Sequence, residues 1–251
     1  MKKYNKLLNF ALPLITIFCI LLFWTVASIS VGSEYILPSI PQTLTALFGH
    51  LTQGKFYVAF LLTLLRSLIA FACSFVIAGG LAFLAHKSKV LERLIMPLVS
   101  ITRSLPTIAI VLLLLFWANE QVAPVIVTML VVMPTTYTQL KNALESVDIS
   151  SLEAGMVDGA NKKQLFIFVQ FPQIEPALYN AIGGGIALNF KLMVAAEVLS
   201  ATVKSLGSML NIAKYNGEIA SMLAIVTLTV LVGFVIEFAF NKLASKRGEW
   251  R

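Results

Sequence analysis

The chain has 251 residues, 58% of them hydrophobic and 12% charged, with a net charge of +7 and a mean hydropathy of +0.87. Soluble domains run at roughly 45–50% apolar and about 25% charged, so the composition excludes an ordinary soluble domain and describes a polytopic membrane protein. The excess positive charge does not signal nucleic acid, because no basic patch with interleaved aromatics accompanies it.

A hydrocarbon core of about 30 Å is crossed by roughly 20 apolar residues in a helix. Six such runs are predicted: Phe10–Val31, Leu61–Ala85, Ile95–Trp117, Val122–Leu140, Ala177–Leu199 and Met222–Asn241. They divide the chain into a tail (1–9), a first span (10–31), an external segment with a surface helix (32–60), a core of further spans (61–241) with a polar loop inside it (141–176), and a second tail (242–251). Met1-Lys2-Lys3 imitates a secretory leader, but the apolar run up to Val31 is too long for one. Cys19 and Cys73 lie within apolar runs, where a thiol acts as a small hydrophobe rather than as half of a disulfide.

Basic residues near span ends stay in the cytoplasm. Lys2, Lys3 and Lys6 precede the first span, and Lys87, Lys89 and Arg93 fall between the second and third. Lys141, Lys162 and Lys163 follow the fourth, and Lys242, Lys246, Arg247 and Arg251 end the chain, against Lys55, Lys204 and Lys214 on the other side. Both termini are therefore expected in the cytoplasm.

After Leu37-Pro38 and Pro41, the residues Leu44, Leu47, Phe48 and Leu51 recur at helical spacing and predict an amphipathic helix, lying at the membrane surface or packed over the spans. Leu206, Met209, Leu210 and Ala213 repeat the pattern in a second external segment. Gly79-Gly80 and Gly183-Gly184-Gly185 fall inside spans. They serve either close helix packing or, for the triple glycine, an unwound segment beside a substrate path.

The loop from Lys141 to Pro176 is too polar to span and too long for a turn. Ser150 with Glu153 fits a capping box opening a helix that runs to Asp158, and Gly159 suits the left-handed position past its end. Asn161 with Gln164 opens a second helix toward Phe171, and Pro172 is expected to stop or kink it. Leu152, Met156 and Val157 give the first helix an apolar side, which favours a docked protein partner over a plain connector.

Glu153-Ala154-Gly155, Gly159, then Val169-x-Phe171-Pro172 resembles the signature of binding-protein-dependent ABC transporter permeases, E-A-A-x3-G-x9-I-x-L-P. Gly155, Val169 and Phe171 depart from it in residue type but not in spacing; glycine at 155 would loosen the helix by about 1 kcal/mol relative to alanine. Leu37-Pro38, Arg103-x-x-Pro106, Val194-Ala195-Ala196-Glu197 and Leu206-Gly207 are similar to the nitrate/sulfonate/taurine branch. The resemblance implies an all-α type I importer permease of about six spans in the bacterial inner membrane. Its cytosolic helix pair would be set into a separate ATP-binding subunit, with Glu153, Ala154, Gly155, Gly159, Val169, Phe171 and Pro172 as coupling residues. It further implies a second permease copy (a homodimer), an external substrate-binding protein, and ATP-Mg held by the partner and not by this chain. No G-x-x-x-x-G-K-[ST] loop occurs in the sequence, so hydrolysis would belong to a partner.

Ionisable residues inside spans are costly unless they face water or a partner. Arg103, Lys191 and Glu197 are the pathway candidates, with a buried structural ion pair as the alternative, while Arg66 reads as a structural residue able to reach the interface. Cations along a pathway would favour a small anion. Two other readings stay open: an ion-coupled secondary carrier or channel using Arg103, Lys191 and Glu197, and a membrane scaffold without transport. No catalytic or metal-ligating constellation is expected; His50 and His86 stand apart from cysteines and carboxylates at ligand spacing.

Overall fold

In lipid, a backbone of this composition satisfies its own N–H and C=O groups only as helix. The computed structural model describes residues 2–248, with side chains described over 12–246. Lys2, Lys3, Lys6, Arg247 and Arg251, which entered the charge pattern above, lie outside the described side chains.

In chain order the helices are α1 (Lys2–Val31), α2 (Ile40–Leu51), α3 (Gly54–Lys87), α4 (Lys89–Ser104), α5 (Thr107–Leu114), α6 (Ala123–Glu145), α7 (Ile149–Val157) and α8 (Lys162–Leu165). A π-helical turn (Phe166–Gln170) leads from α8 into α9 (Phe171–Leu199), followed by α10 (Leu206–Asn216) and α11 (Ile219–Gly248). Five helices are long and apolar enough to cross a membrane, and α4 with α5, bent by 87° at their junction, brings the number to six where the bent pair counts as one span. The run expected as a span over Ile95–Trp117 is interrupted at Leu105–Pro106. Pro106 has no N–H to give and crowds the preceding turn, and Leu105 before it takes an extended conformation (φ −68°, ψ 129°).

The chain forms two compact units. One comprises Met1–Tyr57 with Met209–Leu228. Here the carbonyls of Leu37 and Pro38 accept from Ser28 Oγ (3.1 Å) and Trp24 Nε1 (3.0 Å) of α1. No residue of Leu12–Val31 is buried. Helix α2 buries Thr43 and half-buries Leu47 and His50, whereas Leu44 and Phe48 are exposed. Its packing stripe is therefore rotated from the apolar one read in the sequence. His50 Nε2 lies 2.6 Å from Ser221 Oγ, and burial pushes the imidazole below its ordinary value against the pull of Glu218.

The second unit comprises Val58–Ser208 with Thr229–Arg251. Small side chains let its helices approach: Ala78, Ala82 and Ala85 of α3 meet Ile95 and Val99 of α4, Tyr137 and Leu140 of α6, and Ala181 of α9 in one buried cluster. The triple glycine is helical throughout. A methyl group at Gly183 would overlap Phe240, and one at Gly185 would overlap Phe71, while Gly184 has nothing near it. Two of the three glycines therefore serve packing.

Candidate functional site

The polar loop between α6 and α9 is built from its caps. Asp148, not Ser150, caps α7: its carboxylate accepts from the backbone N–H of Ser150 (3.1 Å) and Ser151 (3.2 Å) and from both serine hydroxyls (2.6 Å each). Glu153 is exposed and takes no part, which corrects the expected Ser150–Glu153 box. A carboxylate at the N-cap satisfies two orphan donors and complements the helix dipole, which a serine does less well. The hydroxyls of Ser150 and Ser151, ahead of the backbone N–H groups, hold the Asp148 carboxyl well below the usual range, at about 2. Its own N–H donates to Gln173 Oε1 (2.8 Å), tying the start of α7 to α9.

At the other end Gly159 adopts φ +80°. Its N–H reaches Met156 O (3.1 Å) and that of Ala160 reaches Gly155 O (3.0 Å), the paired bonds of a Schellman close. Asn161 and Gln164 then bond reciprocally, backbone to side chain, at 2.9 Å each, as the sequence predicts. Pro172 does not stop the helix. The turn before it widens to π, with Phe171 N–H bonded to Phe166 O, and the chain runs on as α9. The widened turn accommodates a ring that has no N–H for the usual bond. Gly155 lets α7 lie on α8, since a methyl there would stand 2.6 Å from Leu165 Cδ2. Ala154 is exposed and Val169 half-buried. Met156 (59% exposed) and Val157 (88%) on α7 and Phe168 (74%) on the π turn are apolar side chains left uncovered on this loop.

The intramembrane charges separate into two kinds. Glu197 is 0% exposed and pairs with Arg66 Nη1 at 3.1 Å. Thr63 Oγ1 donates to the same carboxylate (2.8 Å) and accepts from Leu206 N–H (3.0 Å), and Gly207 N–H approaches Glu197 Oε2 (3.4 Å). Arg66 also donates to Gln121 Oε1. The Glu197 carboxylate thus takes the place of a cap at the start of α10, in the buried ion pair that stood as the alternative to a pathway role. Thr63 and Gln121 carried no individual signal in the sequence, and Gly207 only that of the branch resemblance, because they meet Glu197 only through the tertiary fold. The loop beyond α9 is equally fixed: Thr202 Oγ1 donates to Glu120 O (2.7 Å) and Ser205 Oγ to Thr202 O (2.7 Å).

Arg103 and Lys191 differ from this. Arg103 is exposed at the corner between α4 and α5, with Thr138 Oγ1 of α6 at 2.9 Å. Lys191 is exposed, its stem laid against Gly233. Among the described residues neither has a carboxylate partner, whereas Lys141 holds both Glu92 (2.6 Å) and Glu145 (3.1 Å).

Residues 74–248 match the model of the family described as binding-protein-dependent transport system inner membrane component. The chain is 25% identical over 230 residues to the riboflavin transport system permease protein RibX of Chloroflexus aurantiacus, covering 87% of this chain and 84% of that one. It is 25% identical over 238 residues to the taurine transport system permease protein TauC of Escherichia coli, covering 91% and 85%. Among solved structures, it superposes on the inward-facing MetNI methionine ABC transporter with a TM-score of 0.60 at 21% identity, covering 74% of this chain and 93% of that one. An amino acid ABC transporter gives 0.59 at 18% identity, covering 76% and 91%. Broken span, capped loop and matched family model agree: the chain belongs to the binding-protein-dependent transport system inner membrane component family and is a multi-pass permease subunit of an ABC importer.

Proposed function

We propose that two copies of this chain form the pathway of an importer in a bacterial inner membrane, with both termini cytoplasmic. The α7–α8 pair is set into a cytosolic ATP-binding subunit that holds ATP-Mg, and an external binding protein delivers the solute. The observation that carries the reading is a set of exposed apolar side chains, Met156 and Val157 on α7 and Phe168 on the π turn, in a loop whose helices are closed by Asp148, Gly159 and Asn161. An apolar helix face held rigid and left uncovered fits a groove in a partner. Hydrolysis belongs to that partner, a reading supported by the family's architecture and consistent with a sequence in which no G-x-x-x-x-G-K-[ST] loop occurs. Glu153, Ala154, Gly159, Val169, Phe171 and Pro172 act as coupling residues, with Gly155 seating α7 on α8.

The cargo is a small anion. Arg103 and Lys191 are cations without carboxylate partners among the described residues, each exposed on a span; such groups need water or an anion beside them. The test is reconstitution of the permease with an ATP-binding subunit and binding protein encoded beside it. Wild type should hydrolyse ATP in step with uptake, and a Gly159→Asp variant should insert normally yet lose that coupling. Normal uptake by Gly159→Asp would overturn the assignment of the loop. Uptake by the chain alone under an ion gradient would favour a secondary carrier instead.

A further inference from the structure

A cavity of 710 Å³ lies above the loop, within the second unit, walled by Phe75, Gly79 and Phe83 of α3, Leu144 of α6, and Phe166 and Phe171 at the head of α9. Its size falls in the range of small-ligand sites. Phe75, Gly79 and Phe83 stand on successive turns of one face of α3, so the wall runs ~12 Å along a membrane-spanning helix. Phe83, Phe166 and Phe171 are 50%, 50% and 43% exposed. The wall leads toward the end of α3 that carries His86, a lining residue, and Lys87. The Lys87 ammonium sits 4.5 Å over the Phe83 ring and has no carboxylate partner among the described residues. Glu145, the acid on the lining, is engaged by Lys141 at 3.1 Å.

An apolar slot that runs along a span and ends at His86, beside a lysine without a carboxylate partner among the described residues, matches an anionic phospholipid: an acyl chain in the slot, and the phosphate at Lys87 and His86. A soluble subunit would have to enter along a membrane-crossing helix to meet Phe75, and a neutral headgroup offers the Lys87 ammonium no net negative charge. Basic groups at the membrane boundary attract anionic headgroups on general electrostatic grounds. We infer that this cleft is a binding site for one anionic phospholipid, seated between α3 and the root of the α7–α8 pair. The inference rests on the membrane placement of that loop and is independent of how the loop engages an ATPase, so either can fail alone.

The test uses the full chain with Trp24, Trp117 and Trp250 replaced by Phe and a single reporter, Phe75→Trp. It is reconstituted in phosphatidylcholine vesicles with rising fractions of brominated phosphatidylglycerol or of brominated phosphatidylcholine. Half-maximal quenching is expected at a mole fraction at least fivefold lower for the anionic lipid, and Lys87→Gln should abolish the difference. Equal quenching by both lipids would mean ordinary bulk contact and overturn the site. No quenching by either would mean that protein, such as a second copy, fills the cleft, and would also overturn it. Because the tryptophan replacements can disturb folding, phosphate and chromatographic analysis of lipid retained by the unmodified chain through detergent washing provides the second measurement. About one phosphatidylglycerol per chain, lost in Lys87→Gln, is expected; equal retention by the two proteins refutes the assignment.

Discussion

Replacing Arg66 by Met removes the cation that faces the enclosed Glu197 carboxylate among the described residues. The pair stands at 3.1 Å, with Glu197 0% and Arg66 14% exposed. At an effective dielectric of about 20 the gross attraction at that distance is about 5 kcal/mol, against a desolvation penalty of several kcal/mol per ion. The net worth of the pair is therefore small, whereas leaving one member behind costs about 3–5 kcal/mol. Thr63 Oγ1 and Gly207 N–H remain as partners of the carboxylate, so the lower end, about 3 kcal/mol, is expected for Arg66→Met. Arg66→Met/Glu197→Met together should recover most of the loss, and Glu197→Gln, which keeps an acceptor for Thr63 and Gly207, should cost less than Arg66→Met. Equilibrium unfolding of wild type, Arg66→Met, Glu197→Met and the double variant in mixed micelles gives the cycle, with Glu197→Gln measured beside it. A loss under ~1 kcal/mol for Arg66→Met, or a double variant as unstable as the sum of the singles, would refute the argument that burial makes the lone charge costly.

Three further outcomes follow from the same geometry. Asp148 is depressed from 3.8 to about 2, so its cap contributes stability above the unfolded value and loses it as pH falls from near 3.8 through 2. Hydrogen exchange across α7 should stay slow down to pH ~4 and rise below it, with Asp148→Asn flattening the profile; a rise beginning near neutrality would contradict the cap. Gly207→Ala sets a methyl 2.6 Å from the backbone nitrogen of Val198, whereas Gly184 has nothing within 4 Å. The first should destabilise by about 1–3 kcal/mol and the second should be neutral or gain from helix propensity, as read by thermal unfolding. Gly159→Val, placing a β-branched residue at φ +80°, should speed exchange throughout α7 and α8 while leaving α9 protected; unchanged exchange would show that the left-handed close does not hold the pair together.

The elements legible in the sequence were those fixed by neighbours along the chain. Gly159 and the Asn161–Gln164 box are local chemistry, and both stand as read. Local competition also explains the errors. Ser150 and Glu153 have capping-box spacing, but a carboxylate at Asp148 with two serines beyond it is the stronger cap. Pro106 was present in a run long enough to span, and apolar length alone gave no sign that the chain would turn by 87° there. The usual effect of a proline such as Pro172 in an α-helix is circumvented here by a π turn. The Arg66–Glu197 pair joins residues 131 positions apart. Charge counting supplies candidates for such a pair, and only the packing of α3 against α9 selects the partner.

The π turn changes what the loop does mechanically. Had Pro172 ended the second loop helix, the α7–α8 pair would hang from the bundle by a flexible joint. Instead the helical path runs unbroken from Lys162 to Leu199, 38 residues and so ~57 Å. Asp148 N–H on Gln173 adds a second attachment near its base. The same rod carries Lys191 along its length and Glu197 near its far end, where the carboxylate holds the start of α10 through Gly207 and, by way of Thr63, Leu206. A displacement imposed on the capped pair therefore reaches the enclosed polar network through a single stiff element, with no hinge of glycine in between: Gly183 and Gly185 are locked against Phe240 and Phe71. If that rod transmits the stroke, inserting one alanine between Gln170 and Phe171 should rotate the pair by ~100° relative to α9. Coupling to ATP hydrolysis should then be lost while the Arg66–Glu197 cycle keeps its wild-type interaction energy. Retained coupling after the insertion would place the joint at the π turn and refute the rod.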